Sequence, residues 1–133
     1  MKEITSVHNS VVQLLRALQK PKARKENGVF VAESAKMVRE AVELGLCRML
    51  AVESGREEEY AALIEKAEQA GCETLLFSPA VMQAASTAKT PQGILCTVAI
   101  PEPPKTLSGR RIVALDGVQD PGNVGTILRT ADA

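Results

Sequence analysis

Gly122, Asn123, Gly125 and Arg129 are the residues whose types and spacing suit chemistry on an anion. Arg129 stands one helical turn beyond Gly125, and helical side chains lean toward the N-terminus. A guanidinium at 129 is therefore directed back over residue 125, where the missing side chain leaves a notch. Unpaired amides at the start of the same helix favour negative charge. Together these features describe a phosphate clamp. Spacing alone equally describes a tight turn at Gly122 and Gly125 beside a surface arginine. Gly117, Gly122 and Gly125 fit neither G-x-G-x-x-G nor a P-loop.

The elements needed to position these residues are a strand, a turn and a helix. Residues 112–115, Ile-Val-Ala-Leu, form an apolar run that suits the buried strand of a parallel sheet. Asp120, Pro121, Gly122 and Asn123 carry turn chemistry. Asn123 is the expected N-cap of a helix whose apolar stripe is Val124, Ile127, Leu128 and Ala131. Open parallel sheets bind ligands beyond the carboxyl ends of their strands, which is where this turn would lie.

The run Leu-Asp-Gly-Val-Gln-Asp-Pro-Gly-Asn-Val-Gly-Thr-Ile-Leu-Arg-Thr-Ala-Asp-Ala, residues 115–133, resembles motif 1 of the SpoU (TrmH-type) RNA ribose methyltransferases of the SPOUT class. The resemblance implies 2′-O-methylation of ribosomal or transfer RNA with S-adenosylmethionine as cofactor. It also implies that Asn123 and Arg129 belong to the catalytic site. Arg129 cannot serve as an ordinary general base, because a guanidinium stays protonated at any working pH. Gripping an RNA phosphate and stabilising charge on the 2′-oxygen are the roles open to it.

Charge balances overall, with sixteen basic and sixteen acidic residues, but it is unevenly placed. Residues 1–25 carry Lys2, Arg16, Lys20, Lys22, Arg24 and Lys25 against Glu3 alone, whereas Glu dominates residues 26–75. The basic end is thus the expected nucleic-acid face. Lys20, Lys22, Arg24 and Lys25 are the candidate phosphate contacts, in a segment that alternatively forms an ordinary solvated connector. Cys47, Cys72 and Cys96 form no C-x-x-C pair and suit buried thiols in a reducing cytoplasm. The Glu57-Glu58-Glu59 run suits a solvated face, and no metal site is expected. His8, the one histidine, is given no catalytic role. No apolar run reaches the roughly 18 residues of a membrane span.

Upstream of the motif, helices and short strands alternate, giving an α/β class. A helix bearing Val11, Leu14, Leu15 and Leu18 on one face is expected, capped by Asn9 or Ser10 and stopped by Pro21. The basic segment 20–28 reads as a connector into a strand over 29–33. A helix over 35–44 follows, capped by Ser34, with Val38, Ala41 and Val42 inward and Gly45 ending it. Then come a strand at 49–52, an acidic helix over 56–70 closed by Gly71, a strand at 74–77, a helix over 80–86 and a strand at 94–100. The proline-rich stretch 101–109 reads as a linker between residues 1–100 and 110–133.

Ser6, Asn9, Lys22, Arg24, Gly28, Phe30 and Glu33, together with the Thr90-Pro91-Gln92-Gly93 turn, resemble the substrate-binding domain that precedes the knotted domain in many SpoU proteins. Glu33-Ser34 departs from the Glu-Gly common there. The resemblance implies a compact α/β/α sandwich like that of kink-turn-binding ribosomal proteins, followed by the first strand and helix of a knotted SPOUT domain. It further implies RNA as partner, a homodimer formed through later segments of the complete enzyme, and later motifs that hold the cofactor. The 133-residue chain alone is accordingly expected neither to bind S-adenosylmethionine well nor to catalyse. The alternative is a noncatalytic RNA-binding module. With Phe30, Tyr60 and Phe77 scattered, RNA shape and backbone charge are favoured over a base-stacking platform.

Overall fold

A computed structural model describes residues 1–133, which divide into two compact units, Met1–Pro101 and Glu102–Ala133. The first holds a mixed five-stranded sheet built from β1 (Lys2–Ile4), β2 (Val29–Ala32), β3 (Cys47–Glu53), β4 (Glu73–Phe77) and β5 (Ile94–Ala99). Their order is β1-β4-β3-β5-β2, with β1, β4 and β3 parallel and β5 antiparallel to both β3 and β2. Central β3 is buried over most of its length, as a strand covered on both faces should be.

Five helices flank this sheet: α1 (Ser10–Ala17), α2 (Pro21–Asn27), α3 (Ala35–Glu43), α4 (Ala61–Gln69) and α5 (Pro79–Ala85). Two apolar clusters result, one per sheet face. Val38, Ala41 and Val42 of α3 and Ile64 and Ala67 of α4 pack with Leu50, Val52, Ile94 and Cys96. Val12 and Leu15 of α1, with Leu18, join Val81 and Met82 of α5 against Ala51, Leu75, Phe77 and Leu95. The mixed α/β class and the three-layer arrangement of this unit therefore agree with the sequence reading.

Several expectations are corrected. The basic segment is a helix, α2, with Pro21 at its first position and Gly28 at φ +64 closing it through an N–H bond to the Arg24 carbonyl. It buries no residue, so it has no apolar stripe by which to be recognised. On α1, Val12 faces the core and Leu14 is 37% exposed. β1 was not expected. The acidic helix begins only at Ala61, with Tyr60 still buried ahead of it.

In the second unit the apolar run 112–115 forms no strand, and Ile112, Val113 and Leu115 are exposed. A strand exists only through a hydrogen-bonded neighbour, and residues 102–133 supply none. Helix α6 (Pro121–Asp132) does form, but its cap is Asp120 rather than Asn123. The Asp120 carboxylate accepts from the Gly122 N–H at 2.9 Å, which places Asn123 inside the first turn.

Candidate functional site

Within the second unit, the Arg129 side chain folds back along α6. A carbon added at Gly125 would lie 3.9 Å from Nη1 and 4.0 Å from Nη2, so the guanidinium sits over the side-chain-free position. Arg129 is exposed, and its guanidinium has no ion pair or hydrogen-bond partner in the protein. The neighbouring hydroxyls are committed instead: Thr126 donates to the Gly122 carbonyl at 3.0 Å and Thr130 to the Thr126 carbonyl at 2.9 Å. Asn123 is exposed on the first turn. The helix start contributes less to an anion site than its sequence suggested. Pro121 has no N–H, and the Asp120 carboxylate already occupies the Gly122 amide with its own negative charge. Any anion site here must depend on the arginine.

In the first unit, the four candidate phosphate contacts do not behave alike. Lys20, Lys22 and Lys25 are exposed, and Lys22 makes only a solvated contact with Glu26 at 3.9 Å, worth little. Arg24 is half-buried, and its Nη1 donates to the carbonyls of Leu18 and Gln19 at 3.0 and 2.8 Å. It therefore ties the end of α1 to α2. Sequence reasoning missed Arg16, whose Nε donates to the Ala84 carbonyl at 3.0 Å, joining α1 to α5. Arg16, Lys20 and Lys22 share an open groove of about 490 Å³ with Glu26. Helical spacing from Arg16 to Lys20 was the available signal.

Glu33 and the Thr90-Pro91-Gln92-Gly93 turn hold the opposite end of β2 and β5. The Glu33 carboxylate accepts from the Ser86 hydroxyl at 2.6 Å, from the Thr87 amide and hydroxyl at 3.0 and 2.9 Å, and from the Ala88 amide at 3.4 Å. Burial pushes this carboxyl's pKa up, but the bonds from Ser86, Thr87 and Ala88 outweigh burial and leave it below the ordinary value of 4.5. A depressed native pKa contributes stability above the unfolded value and loses it as pH falls through the native one. Urea midpoints measured from about pH 6 down to about pH 3 should therefore fall less steeply for Glu33→Gln than for the natural protein. Parallel curves would show that Glu33 is not held in this way. Ser34, at the departure from the Glu-Gly pattern, caps α3 by accepting from the Met37 N–H at 3.2 Å.

Gln92 of the turn accepts from the Ala35 amide through its side chain at 3.0 Å, while its carbonyl receives the Tyr60 hydroxyl at 2.8 Å and Arg56 Nη1. The turn thus clasps α3 and the start of α4 to β5, a structural duty. The thiols offer no nucleophile. A hydrogen bond to Cys96, then burial, pushes Cys47 far up, and burial foremost raises Cys72 to about 11. No cluster of side chains is arranged to hold a metal ion, and no helix is long and apolar enough to cross a membrane.

Residues 9–96 match the pattern that defines the MRM3-like substrate binding domain. The chain is similar to the 23S rRNA (guanosine(2553)-2′-O)-methyltransferase RlmP of Bacillus subtilis, with 31% identity over the whole chain and 51% of that protein. Among solved structures, an AdoMet-bound rRNA methyltransferase from Sinorhizobium meliloti superposes with TM-score 0.75 at 31% identity, over 98% of this chain and 50% of the other. A TrmH-family protein from Porphyromonas gingivalis, described as a putative RNA methyltransferase, gives TM-score 0.67 at 30% identity over 96% and 49%. The chain spans about half the length of these relatives.

Proposed function

We propose, on the premise that this chain belongs to the MRM3-like substrate-binding domain family and is homologous to SpoU/TrmH-type rRNA methyltransferases, that it is the RNA-binding and motif 1 portion of an S-adenosylmethionine-dependent RNA 2′-O-ribose methyltransferase. The observation that carries the reading is the Arg129 guanidinium lying unpartnered over Gly125, in a run that resembles motif 1. On this reading residues 1–100 bind RNA with a sandwich like that of kink-turn-binding proteins, 101–109 link, and 110–133 open a knotted SPOUT domain.

In the complete protein the cofactor supplies the methyl group. The residues of this chain do not themselves fit it: α6 buries nothing and residues 112–115 are exposed, so no enclosed surface for a nucleoside exists in 110–133. Cofactor binding and dimer formation belong to further segments of the complete enzyme, and the 133-residue chain by itself binds RNA without methylating it. Arg129 holds an RNA phosphate and faces the ribose oxygen as negative charge develops on it. Asn123, on the first turn of the same helix, orients the ribose. Residues Lys20, Lys22 and Lys25 carry the duplex or loop backbone, with Arg24 half committed to α1.

Incubating the complete protein with labelled S-adenosylmethionine and total ribosomal and transfer RNA, then mapping the modified position, tests the assignment. Label on a ribose 2′-oxygen is the expected result. Tight binding without transfer would reduce the assignment to an RNA-binding module. The binding half has its own measurement. Replacing Lys20, Lys22 and Lys25 with alanine should lower the slope of log K against log salt by roughly 0.7 to 0.9 for each phosphate no longer neutralised. An unchanged slope would remove α2 from the interface.

A further inference from the structure

A cleft of about 260 Å³ opens beside β2, where the end of α1, the half-buried Arg24 of α2 and the loop after α5 converge. Its floor is Leu15 and Leu18, nearly fully buried, and its rim carries Gln19, Arg24, Phe30 and Glu33. The geometry points to this cleft as a pocket for one unpaired nucleobase, guanine before the others. The inference rests on the RNA-binding reading of the first unit and names the feature of RNA it recognises.

Size and charge separate this cleft from the basic groove on the other side of α2. It is smaller than the roughly 300 to 1,000 Å³ of sites for drug-sized ligands, which suits a single ring. Its charged groups are one guanidinium and one carboxylate, so it has no net attraction for a phosphate. Glu33 cannot read the base, because both of its oxygens are filled by Ser86, Thr87 and Ala88. Its negative charge keeps phosphate out. In contrast, the groove of Arg16, Lys20 and Lys22 carries a positive excess over Glu26. Backbone charge belongs there and a neutral ring belongs in the cleft.

Arg24 supplies the specificity. Its Nη1 is fixed by two carbonyls, which locks the guanidinium plane. The N–H groups of Nε and Nη2 have no partner in the protein, and they lie on the same edge of the guanidinium as a two-donor fork. That fork matches the adjacent O6 and N7 acceptors of guanine. The Gln19 side chain is exposed and unbonded beside it. Val31, on the same sheet face as Leu15 and Leu18, completes the apolar wall against which a base ring can lie.

The test measures binding of the 133-residue chain to heptauridine RNA carrying guanosine, uridine or an abasic ribose at the centre, at one fixed salt concentration. Guanosine should bind about ten-fold tighter than the abasic site. Arg24→Lys should erase that ratio while keeping most of the affinity, and Gln19→Ala, on an exposed residue, should shrink it. Equal affinity for the guanosine and abasic RNAs, or a preference that survives Arg24→Lys, overturns the pocket while leaving RNA binding intact. If none of the RNAs binds, the RNA reading itself fails. Amide shifts at Gln19, Phe30 and Thr87 on adding free guanosine then decide the pocket alone: their appearance upholds it and their absence overturns it.

Discussion

On the proposed function, Arg129→Lys in the complete protein should lower the single-turnover methylation rate by about 100-fold to 1,000-fold, the loss that follows removal of one donor aimed at developing negative charge. RNA affinity should change far less, because lysine keeps the charge. The guanidinium differs in being a planar fork that can span a phosphate and a ribose oxygen together, whereas an ammonium is a single, strongly hydrated point. The back-folded side chain is free for this duty, having no partner in the protein. Gly125→Ala is the informative companion. The added carbon would meet Nη1 at 3.9 Å, an ordinary contact, so the helix tolerates it and only the notch is narrowed. Its expected signature is weaker substrate binding with a normal melting temperature. A near-normal rate for the lysine variant would mean that the guanidinium does not act at the reacting oxygen.

The dependence on one side chain is sharper because Asp120 already occupies the helix start. In the sequence, Asn123 looks like the cap because it precedes Val124 and the apolar stripe, and a cap there would leave several amides facing an anion. The helix instead starts at Pro121, whose fixed φ suits a first helical position, with Asp120 capping. What the local residues could not reveal was which of two nearby Asx side chains wins. The strand expected at 112–115 failed for a different reason. Its apolar character was legible, but strand formation is a property of pairs, and the neighbour is absent from residues 102–133.

In the first unit, elements with a complete local signature were legible. Helix α3 combines a Ser34 cap, an inward Val38-Ala41-Val42 stripe and Gly45 at φ +68, and each of these appears as read. β1 carries no comparable signal: three residues with one buried side chain, Ile4, become a strand only through parallel pairing with β4, far along the chain. Helix α2 had its terminal signals, Pro21 and Gly28, but their meaning was obscured by a basic interior with nothing to bury. The Glu33 and Gln92 clasps were invisible for the same reason as β1, since each joins groups more than fifty residues apart.

Gly93→Ala should cost about 2 to 4 kcal/mol of stability, from backbone strain and side-chain overlap together. Gly93 has φ +71, where a non-glycine residue is strained by roughly 1 to 2 kcal/mol. A carbon added there would stand 2.5 Å from Arg56 Nη1 and 2.7 Å from its Cδ, so the arginine must move. That arginine is not free to swing away without loss. It donates to Glu59 through Nε at 2.8 Å and Nη2 at 3.0 Å, bonds the Gln92 carbonyl, and lies 5.5 Å from the centre of the Tyr60 ring. The melting temperature should fall by roughly 8 to 32 °C on the scale of 4 to 8 °C per kcal/mol for a domain of this size. Arg56→Ala relieves the overlap in advance, so on that background Gly93→Ala should retain only the backbone part, about 1 to 2 kcal/mol. A double-mutant cycle thereby separates the two causes. Equal costs in both backgrounds would show that Arg56 does not pack against the turn, and a melting point within about 3 °C of the natural protein would show that the turn does not need glycine at all.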